Sequence, residues 1–300
     1  MTVKFIDLHA HVYRKPVPFV VQFCTPDELL RRYDEAGIEM GCLLPIVNSE
    51  IYFPQANEDI LEIAEQHPDR FIPFCNVDPR ALTNSADADL GRVLRYYKDR
   101  GCRGIGEVMP NLPLLDARVQ NLCHHASESG LPIVFDGSSR LGGDFGLQDD
   151  PGLPQLESTL LKYPDLIVFG HGRLFWLELT VDFTPGERKP VFRSDGEYIF
   201  PPYRTGSIKK EGVVPDLFRK YPNLLGELSD AAPFLERDHE FAAKFLTEFQ
   251  DRLFFGTDIC FADMPFGMLT LLNQLYTEQK ISKMVFLKIA RENAIRFFNL

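Results

Sequence analysis

Short apolar segments alternate with amphipathic segments along the whole chain. The apolar segments are nearly continuous in apolar residues rather than strictly alternating, which is typical of parallel strands that are buried on both faces. They recur at intervals of roughly 30 residues, the length of one strand–helix repeat. Eight such segments are found, at 4–8, 41–46, 70–75, 102–107, 131–135, 165–170, 223–228 and 252–256.

The segments between the predicted strands carry helix signals. Thr25 is a favourable N-cap, Pro26 suits the first helical turn, and Gly37 is typical of the position after a helix end. Comparable patterns predict helices at 27–36, 57–66, 119–129, 158–162, 238–249 and 283–298. Eight strand–helix repeats in 300 residues predict an α/β fold, a (β/α)8 TIM barrel.

We expect residues 1–300 to form a single domain, with a long loop after strand six. A doubly wound open sheet is the alternative architecture. That fold usually carries a glycine-rich phosphate loop after the first strand. Here the first strand is followed by His9-Ala10-His11, which favours the barrel and indicates metal binding instead.

Composition limits the classes of partner. The chain has 32 basic and 43 acidic residues, a formal charge of −11, so it has no general electrostatic reason to bind nucleic acid or an anionic membrane. No apolar run is long enough for a membrane span, and no secretory signal is recognised. The six cysteines are scattered without a CxxC pair, which predicts reduced, buried thiols in a cytoplasmic protein.

Candidate metal ligands cluster at the ends of the predicted strands. Active-site groups of a (β/α)8 barrel project from the C-terminal ends of the strands. A period of two places His9 and His11 on the same side of an extended chain. The other candidates at strand ends are Glu107, Asp136, His171 and Asp258. Several buried carboxylates need a compensating cation, and this ligand set suits a divalent metal, with zinc expected and manganese or iron as alternatives.

Six short motifs carry a family resemblance over nearly the whole chain. They are Asp7-Leu-His-Ala-His11, Gly104-Ile-Gly-Glu107, 130–135, 152–157, Val168-Phe-Gly-His-Gly172 and Phe254-Phe-Gly-Thr-Asp258. With them the chain resembles the amidohydrolase superfamily, and within it the branch that includes aminocarboxymuconate semialdehyde decarboxylase.

The resemblance implies a role for each matching residue. It makes His9, His11 and Asp258 metal ligands and places Glu107 where many members have a bridging carboxylate. It makes His171 the strand-six histidine, which binds a second metal or acts on the substrate. Asp136 stands where the family usually has histidine, and an aspartate ligand would shift the preference toward harder metals.

Three functions remain open at this point. The first is hydrolysis of a C–N or C–O bond in a small, carboxylate-bearing substrate by metal-activated water. In that reaction Asp258 accepts and passes on the proton, and His171 polarises the carbonyl or stabilises the oxyanion. The second is non-oxidative decarboxylation at the same ion. The third, suggested by Asp136, is an inactive barrel that serves as a binding module.

The long segment 172–212 is rich in aromatic and basic residues. Because it follows strand six, the segment is predicted to lie on the active-site face of the barrel, where it could act as a lid. We therefore predict substrate contacts for Arg173 and Trp176. The alternative is that the segment packs on its own barrel or on a neighbouring subunit. Packing on a neighbouring subunit would make the protein a homodimer.

Overall fold

Eight parallel strands form the centre of the protein in the computed structural model, which describes residues 3–15, 23–50, 55–184, 186–188, 191–192, 198–199 and 204–300. In chain order the strands are β1 Phe5–Ala10, β2 Ile38–Leu43, β3 Phe71–Pro73, β4 Ile105–Val108, β5 Ile133–Phe135, β6 Val168–Gly170, β7 Leu224–Glu227 and β8 Leu253–Phe254. Two short strand pairs lie outside this set: 137–138 with 147–148, and 191–192 with 198–199.

The strands close into a barrel. One sheet joins β1, β2 and β3, and a second joins β4 through β8 in sequence order. A parallel bridge from Cys75 to Ile105 connects β3 to β4. The remaining seam is closed where the Leu8 amide donates to the Phe255 carbonyl at 2.9 Å. The predicted (β/α)8 fold is confirmed.

Helices surround the barrel. They are α1 Pro26–Ala36, α2 Asn57–Gln66, α3 Leu90–Asp99, α4 Ala117–Ser129, α5 Pro154–Lys162, α6 Gly172–Leu177, α7 Val213–Lys220, α8 Ala232–Leu235, α9 His239–Glu248, α10 Gly267–Thr277, α11 Lys283–Leu287 and α12 Asn293–Phe298. A π-helical turn, Lys288–Glu292, lies between α11 and α12. The sequence predicted one continuous helix there. Among the described residues, no helix combines the length and apolar character needed to cross a lipid bilayer.

The predicted cap of α1 is present. The Glu28 amide donates to the Thr25 hydroxyl oxygen, and the Glu28 carboxylate accepts from the Thr25 amide at 2.9 Å. This reciprocal pair satisfies two donors that the first helical turn leaves without partners. At the other end Gly37 has a φ of 74°, in the left-handed region that glycine adopts without steric cost.

The barrel interior has an apolar layer followed by a polar layer. Phe169 is fully buried, with its ring 5.1 Å from that of Phe254 and 5.4 Å from that of Phe297. Residues two apart on a strand share a face, so Phe169 and His171 point to the same side of β6. The same spacing relates Leu225 to Glu227 on β7. The apolar layer thus positions the polar groups that follow it at the C-terminal ends of the strands.

All six cysteines lie in the described part of the chain and are free thiols, five of them buried. The predicted buried thiols are therefore confirmed for Cys24, Cys42, Cys75, Cys102 and Cys123, whereas Cys260 is half-buried. It lies close to the polar layer.

Candidate metal centre

Five of the predicted ligands converge at the C-terminal ends of the strands. The Nε2 atoms of His9 and His11 are 3.1 Å apart. Asp258 Oδ1 lies 3.2 Å from His11 Nε2, and Glu107 Oε2 lies 3.3 Å from it. Glu107 Oε1 lies 3.2 Å from His171 Nε2. One donor atom from each of His9, Glu107, His171 and Asp258 falls within 4.8 Å of all the others.

The three imidazoles are oriented by acceptors on their outer side. His9 Nδ1 lies 3.2 Å from Glu227 Oε2, and His171 Nδ1 lies 2.5 Å from the same oxygen. His11 Nδ1 lies 2.8 Å from the carbonyl oxygen of Leu44. Because each acceptor carries no proton, we assign a proton to each Nδ1. The three Nε2 atoms are therefore directed at the centre, the arrangement found for metal-bound histidines.

Glu227 is a buried carboxylate beside the candidate centre that the sequence did not identify. Its side chain is fully buried and accepts hydrogen bonds from the Ser229 amide at 2.8 Å and the Ser229 hydroxyl at 2.7 Å. Together with the two Nδ1 contacts, these bonds make it the carboxylate that orients His9 and His171. The sequence signal is weaker than that of Glu107: Glu227 is the last residue but one of the predicted strand 223–228, whereas Glu107 is the last residue of 102–107.

The electrostatics of the centre require positive charge. Burial disfavours the protonated form of His9, as does the nearby His171, but the carboxylates of Asp258, Glu107 and Glu227 outweigh both and raise the pKa of His9 to about 10. Burial would raise the pKa of Glu107, yet hydrogen bonds from His11, His171 and His9 hold it well below its ordinary value. Without a metal, protons on the histidines balance the negative charge of these carboxylates. The imidazole and carboxylate donors fit a divalent cation in their place.

Asp258 occupies the most open position of the set. Its side chain is 21% exposed, against 0% for His9 and 4% for Glu107. Its φ of 49° lies in the left-handed region, which aspartate tolerates better than most residues. The Asp258 amide donates to the His9 carbonyl at 2.9 Å, which ties the β8 loop to β1. The carboxylate therefore lies where solvent or a substrate can reach it.

Asp7 fixes the connection between β1 and the β8 loop, and it too was missed as a positioning residue. Its carboxylate is fully buried and accepts from the Thr257 amide at 2.9 Å, the Thr257 hydroxyl at 2.5 Å and the Tyr33 hydroxyl at 2.7 Å. Burial raises the pKa of Asp7 to about 6, although these hydrogen bonds oppose the rise. Asp7 thereby sets the relative positions of His9 and Asp258.

Asp136 does not join the converging group. Its Oδ1 accepts from the Gly137 amide at 2.7 Å, and a Cβ atom on Gly172 would come within 2.0 Å of that oxygen. Gly172, with a φ of 83°, is thus required by both its backbone conformation and this close approach. Burial, followed by the charge of Glu107, raises the pKa of Asp136 well above its ordinary value. Metal ligation by Asp136 stays a prediction.

The two residues predicted to contact substrate, Arg173 and Trp176, are both buried. Arg173 is 7% exposed, with its guanidinium 5.7 Å from the ring centre of Phe234; its substrate role stays a prediction. Trp176 has 0% exposure, packs against Phe175 and Phe245, and donates from its indole nitrogen to the Glu227 carbonyl at 3.1 Å. The substrate contact of Trp176 also stays a prediction; in this structure the tryptophan lies in the core and contacts the backbone of Glu227.

The start of the predicted lid segment packs on the barrel. Phe175 and Phe183 are buried along with Trp176, and the Phe183 ring lies 5.9 Å from that of Phe234. This agrees with the alternative that the segment packs on its own barrel. Residues 185, 189–190, 193–197 and 200–203, which include several of its aromatic and basic residues, lie outside the described residues.

Comparison with known proteins decides the family. The family model described as amidohydrolase matches residues 6–300. The chain belongs to the amidohydrolase family. Family membership indicates that this amidohydrolase is an enzyme. Its converging histidine, glutamate and aspartate side chains form a candidate divalent-metal centre. A search of curated proteins gave no match.

Solved structures share the fold of this amidohydrolase at low sequence identity. An uncharacterised TIM-barrel protein from Bordetella bronchiseptica has a TM-score of 0.63 and 18% identity, with 99% of both chains covered. A probable 2-pyrone-4,6-dicarboxylic acid hydrolase from Acinetobacter baumannii has a TM-score of 0.59 and 14% identity, covering 99% of this chain and 100% of the other. The 5-carboxyvanillate decarboxylase of Novosphingobium aromaticivorans, solved with manganese and 4-hydroxy-3-methoxy-5-nitrobenzoic acid, has a TM-score of 0.59 and 15% identity, covering 99% and 96%.

Proposed function

We propose that this amidohydrolase hydrolyses a C–N or C–O bond of a small, carboxylate-bearing substrate with the help of a divalent metal, for which zinc is the expected ion. The observation that carries the proposal is the orientation of the three imidazoles. Their Nδ1 atoms face Glu227 and Leu44, while their Nε2 atoms converge with the carboxylates of Glu107 and Asp258.

His9, His11 and Asp258 would hold the metal, with Glu107 beside them. A bound divalent cation supplies Lewis acidity that makes water acidic enough to lose a proton near neutral pH. Asp258 is placed to accept that proton because its carboxylate is the most exposed of the converging set. It would later return the proton to the leaving group, so one carboxylate serves as base and then as acid.

His171 is proposed to stabilise negative charge on the substrate oxygen. Its Nδ1 lies 2.5 Å from the buried Glu227 carboxylate, which favours a protonated imidazole with an N–H on Nε2. Burial opposes this charge, but hydrogen bonds to Glu107 and Glu227 raise the pKa of His171 well above its ordinary value. A donor held in a water-poor site stabilises a developing oxyanion more strongly than one in bulk water.

Non-oxidative decarboxylation is the second candidate, and a small apolar cluster beside the centre favours it. Tyr13, Phe23, Ile46 and Met109 are buried together, and Tyr13 and Phe23 have ring centres 4.5 Å apart. The Phe23 ring lies 6.1 Å from that of His11. An aromatic carboxylate would suit such a wall. The similar decarboxylase solved with manganese and a nitrobenzoic acid derivative supports testing this substrate class.

The two reactions are separated by following water and carbon dioxide. Protein purified without chelator is assayed for zinc, manganese and iron, and then screened with amides, esters, lactones and aromatic carboxylates in H2(18)O. Hydrolysis predicts (18)O in the product, which the Asp258→Asn variant should lose. Release of carbon dioxide with no (18)O in the organic product would establish the decarboxylase instead. Metal-free, folded and inactive protein would refute both and favour a binding module.

A further inference from the structure

A second group of donor atoms overlaps the proposed metal centre and contains sulfur. One donor atom from each of His11, Asp258 and Cys260 lies within 4.8 Å of the other two. In the sequence Cys260 is one of six scattered cysteines, and nothing in the sequence pattern marks it as a ligand. Its position two residues after Asp258 instead brings its side chain to the same end of the barrel.

The backbone holds Cys260 in this position on both sides. The Cys24 amide donates to the Cys260 carbonyl at 2.8 Å, and the His11 amide donates to the Ile259 carbonyl at 3.0 Å. The loop after β8 is thus hydrogen-bonded to the loop after β1. Because both loops carry ligands, the relative placement of His11 and Cys260 is fixed by the main chain rather than by side-chain conformation alone.

The chemistry of this group differs from that of the main one. His9, Glu107, His171 and Asp258 offer only nitrogen and oxygen, whereas His11, Asp258 and Cys260 offer nitrogen, oxygen and sulfur. Thiolate ligands favour zinc and cobalt over manganese. The Cys260 thiol lies 3.5 Å from the Asp258 carbonyl oxygen, a weak contact that a metal–sulfur bond would readily replace.

We propose that Cys260 is a thiolate ligand of the metal centre, acting with His11 and Asp258 to create a sulfur-containing position that selects a borderline-soft ion such as zinc. This inference rests on the proposed metal-dependent function. Binding forms one metal–sulfur bond, breaks the S–H bond and releases one proton to solvent, without oxidation or reduction. The alternative is a thiol that packs against the apolar cluster of Tyr13, Phe23, Ile46 and Met109 and contacts the Asp258 carbonyl, without binding a metal.

Cobalt tests the proposal without an activity assay. The full-length, untagged protein is stripped of metal, loaded with Co2+ alone and dialysed. Its bound cobalt and its near-ultraviolet spectrum are then measured. A thiolate bound to cobalt gives an intense charge-transfer band that nitrogen and oxygen ligands do not give. Cobalt on the exposed surface group His124, His125 and Glu128 would not produce the band, since that group has no sulfur.

Two alanine variants form a matched pair. Cys24→Ala removes a neighbouring buried thiol that lies outside both ligand groups containing Asp258, so it should keep the band. Cys260→Ala should lose the band while still retaining cobalt through the nitrogen and oxygen ligands. In competition, it should also bind zinc less strongly relative to manganese than the unmodified protein does.

The outcomes separate this inference from the proposed function. Cobalt retained without the band, or a band that survives in Cys260→Ala, would overturn the role of Cys260 and leave the metal centre standing. A wild-type protein that retains no cobalt, zinc or manganese would overturn both.

Discussion

Replacing Glu227 with glutamine should weaken metal binding, although the Glu227 carboxylate contacts the Nδ1 atoms of His9 and His171 rather than the Nε2 atoms that converge on the centre. Its Oε2 lies 3.2 Å from His9 Nδ1, 2.5 Å from His171 Nδ1 and 2.7 Å from the Ser229 hydroxyl, and its Oε1 accepts from the Ser229 amide at 2.8 Å. A glutamine has only one acceptor oxygen at its end. Whichever way the amide turns, its NH2 group faces at least one N–H donor.

The magnitude follows from these contacts. A buried donor left without an acceptor costs about 1–3 kcal/mol. The substitution also removes a negative charge, and a divalent cation loses more attraction than the proton it displaces. Loss of a residue that orients metal-bound histidines typically lowers metal affinity roughly 10- to 100-fold, and we expect Glu227→Gln to fall in that range.

Competition against a chromophoric chelator measures the dissociation constant of zinc or manganese for each variant. Glu178→Gln is a matched control, since Glu178 is another buried glutamate but pairs with Arg188 and the Gly152 amide. It should change stability without changing metal affinity. If Glu227→Gln binds metal as tightly as the unmodified enzyme, the proposed orientation of His9 and His171 by Glu227 is wrong.

Three further predictions concern the core, a helix cap and pH. Phe169→Ala should lower the free energy of unfolding of the metal-free protein by about 3–5 kcal/mol, because Phe169 is fully buried; a urea-unfolding loss below that of Phe169→Leu would contradict this. Thr25→Ala should cost about 1 kcal/mol in the same assay, while Thr25→Ser, which keeps the capping oxygen, should cost less; equal losses would argue against the cap. Metal affinity should rise with pH, roughly tenfold per unit for each proton displaced, because the pKa of His9 is raised to about 10 and the metal must displace its proton. A pH-independent affinity between pH 6 and 8 would contradict the last prediction.

The strands were predictable because their burial on both faces leaves a direct mark in the sequence. Each of the eight predicted apolar segments overlaps or contains a barrel strand. Helix α3 is not among the helices that the sequence predicted, and Gly91 in its first turn lowers the helix propensity of that segment. The structure supplies the reason for that glycine: a Cβ atom there would lie 2.8 Å from His125 Nδ1 on α4. Contact between helices therefore determined a residue that local propensity disfavours.

The converging ligands were predictable for a related reason. His9, Glu107, His171 and Asp258 lie at or just after predicted strand ends, and barrel closure brings strand ends together. The side-chain environment was not predictable in the same way. Glu227 looks in the sequence like any acid in a strand, and its role emerges only from the direction of two Nδ1 atoms. Trp176 lies in a segment predicted as a lid, and only packing shows that it is fully buried.

Anomalous diffraction tests the central claim most directly. Crystals of the amidohydrolase grown with zinc or manganese would be measured above and below the absorption edge of the added ion. We predict a peak among His9, His11 and Asp258, roughly 2.0–2.2 Å from the ligand atoms for zinc. Peaks confined to exposed groups such as His124, His125 and Glu128, with none at the ends of the barrel strands, would contradict the account.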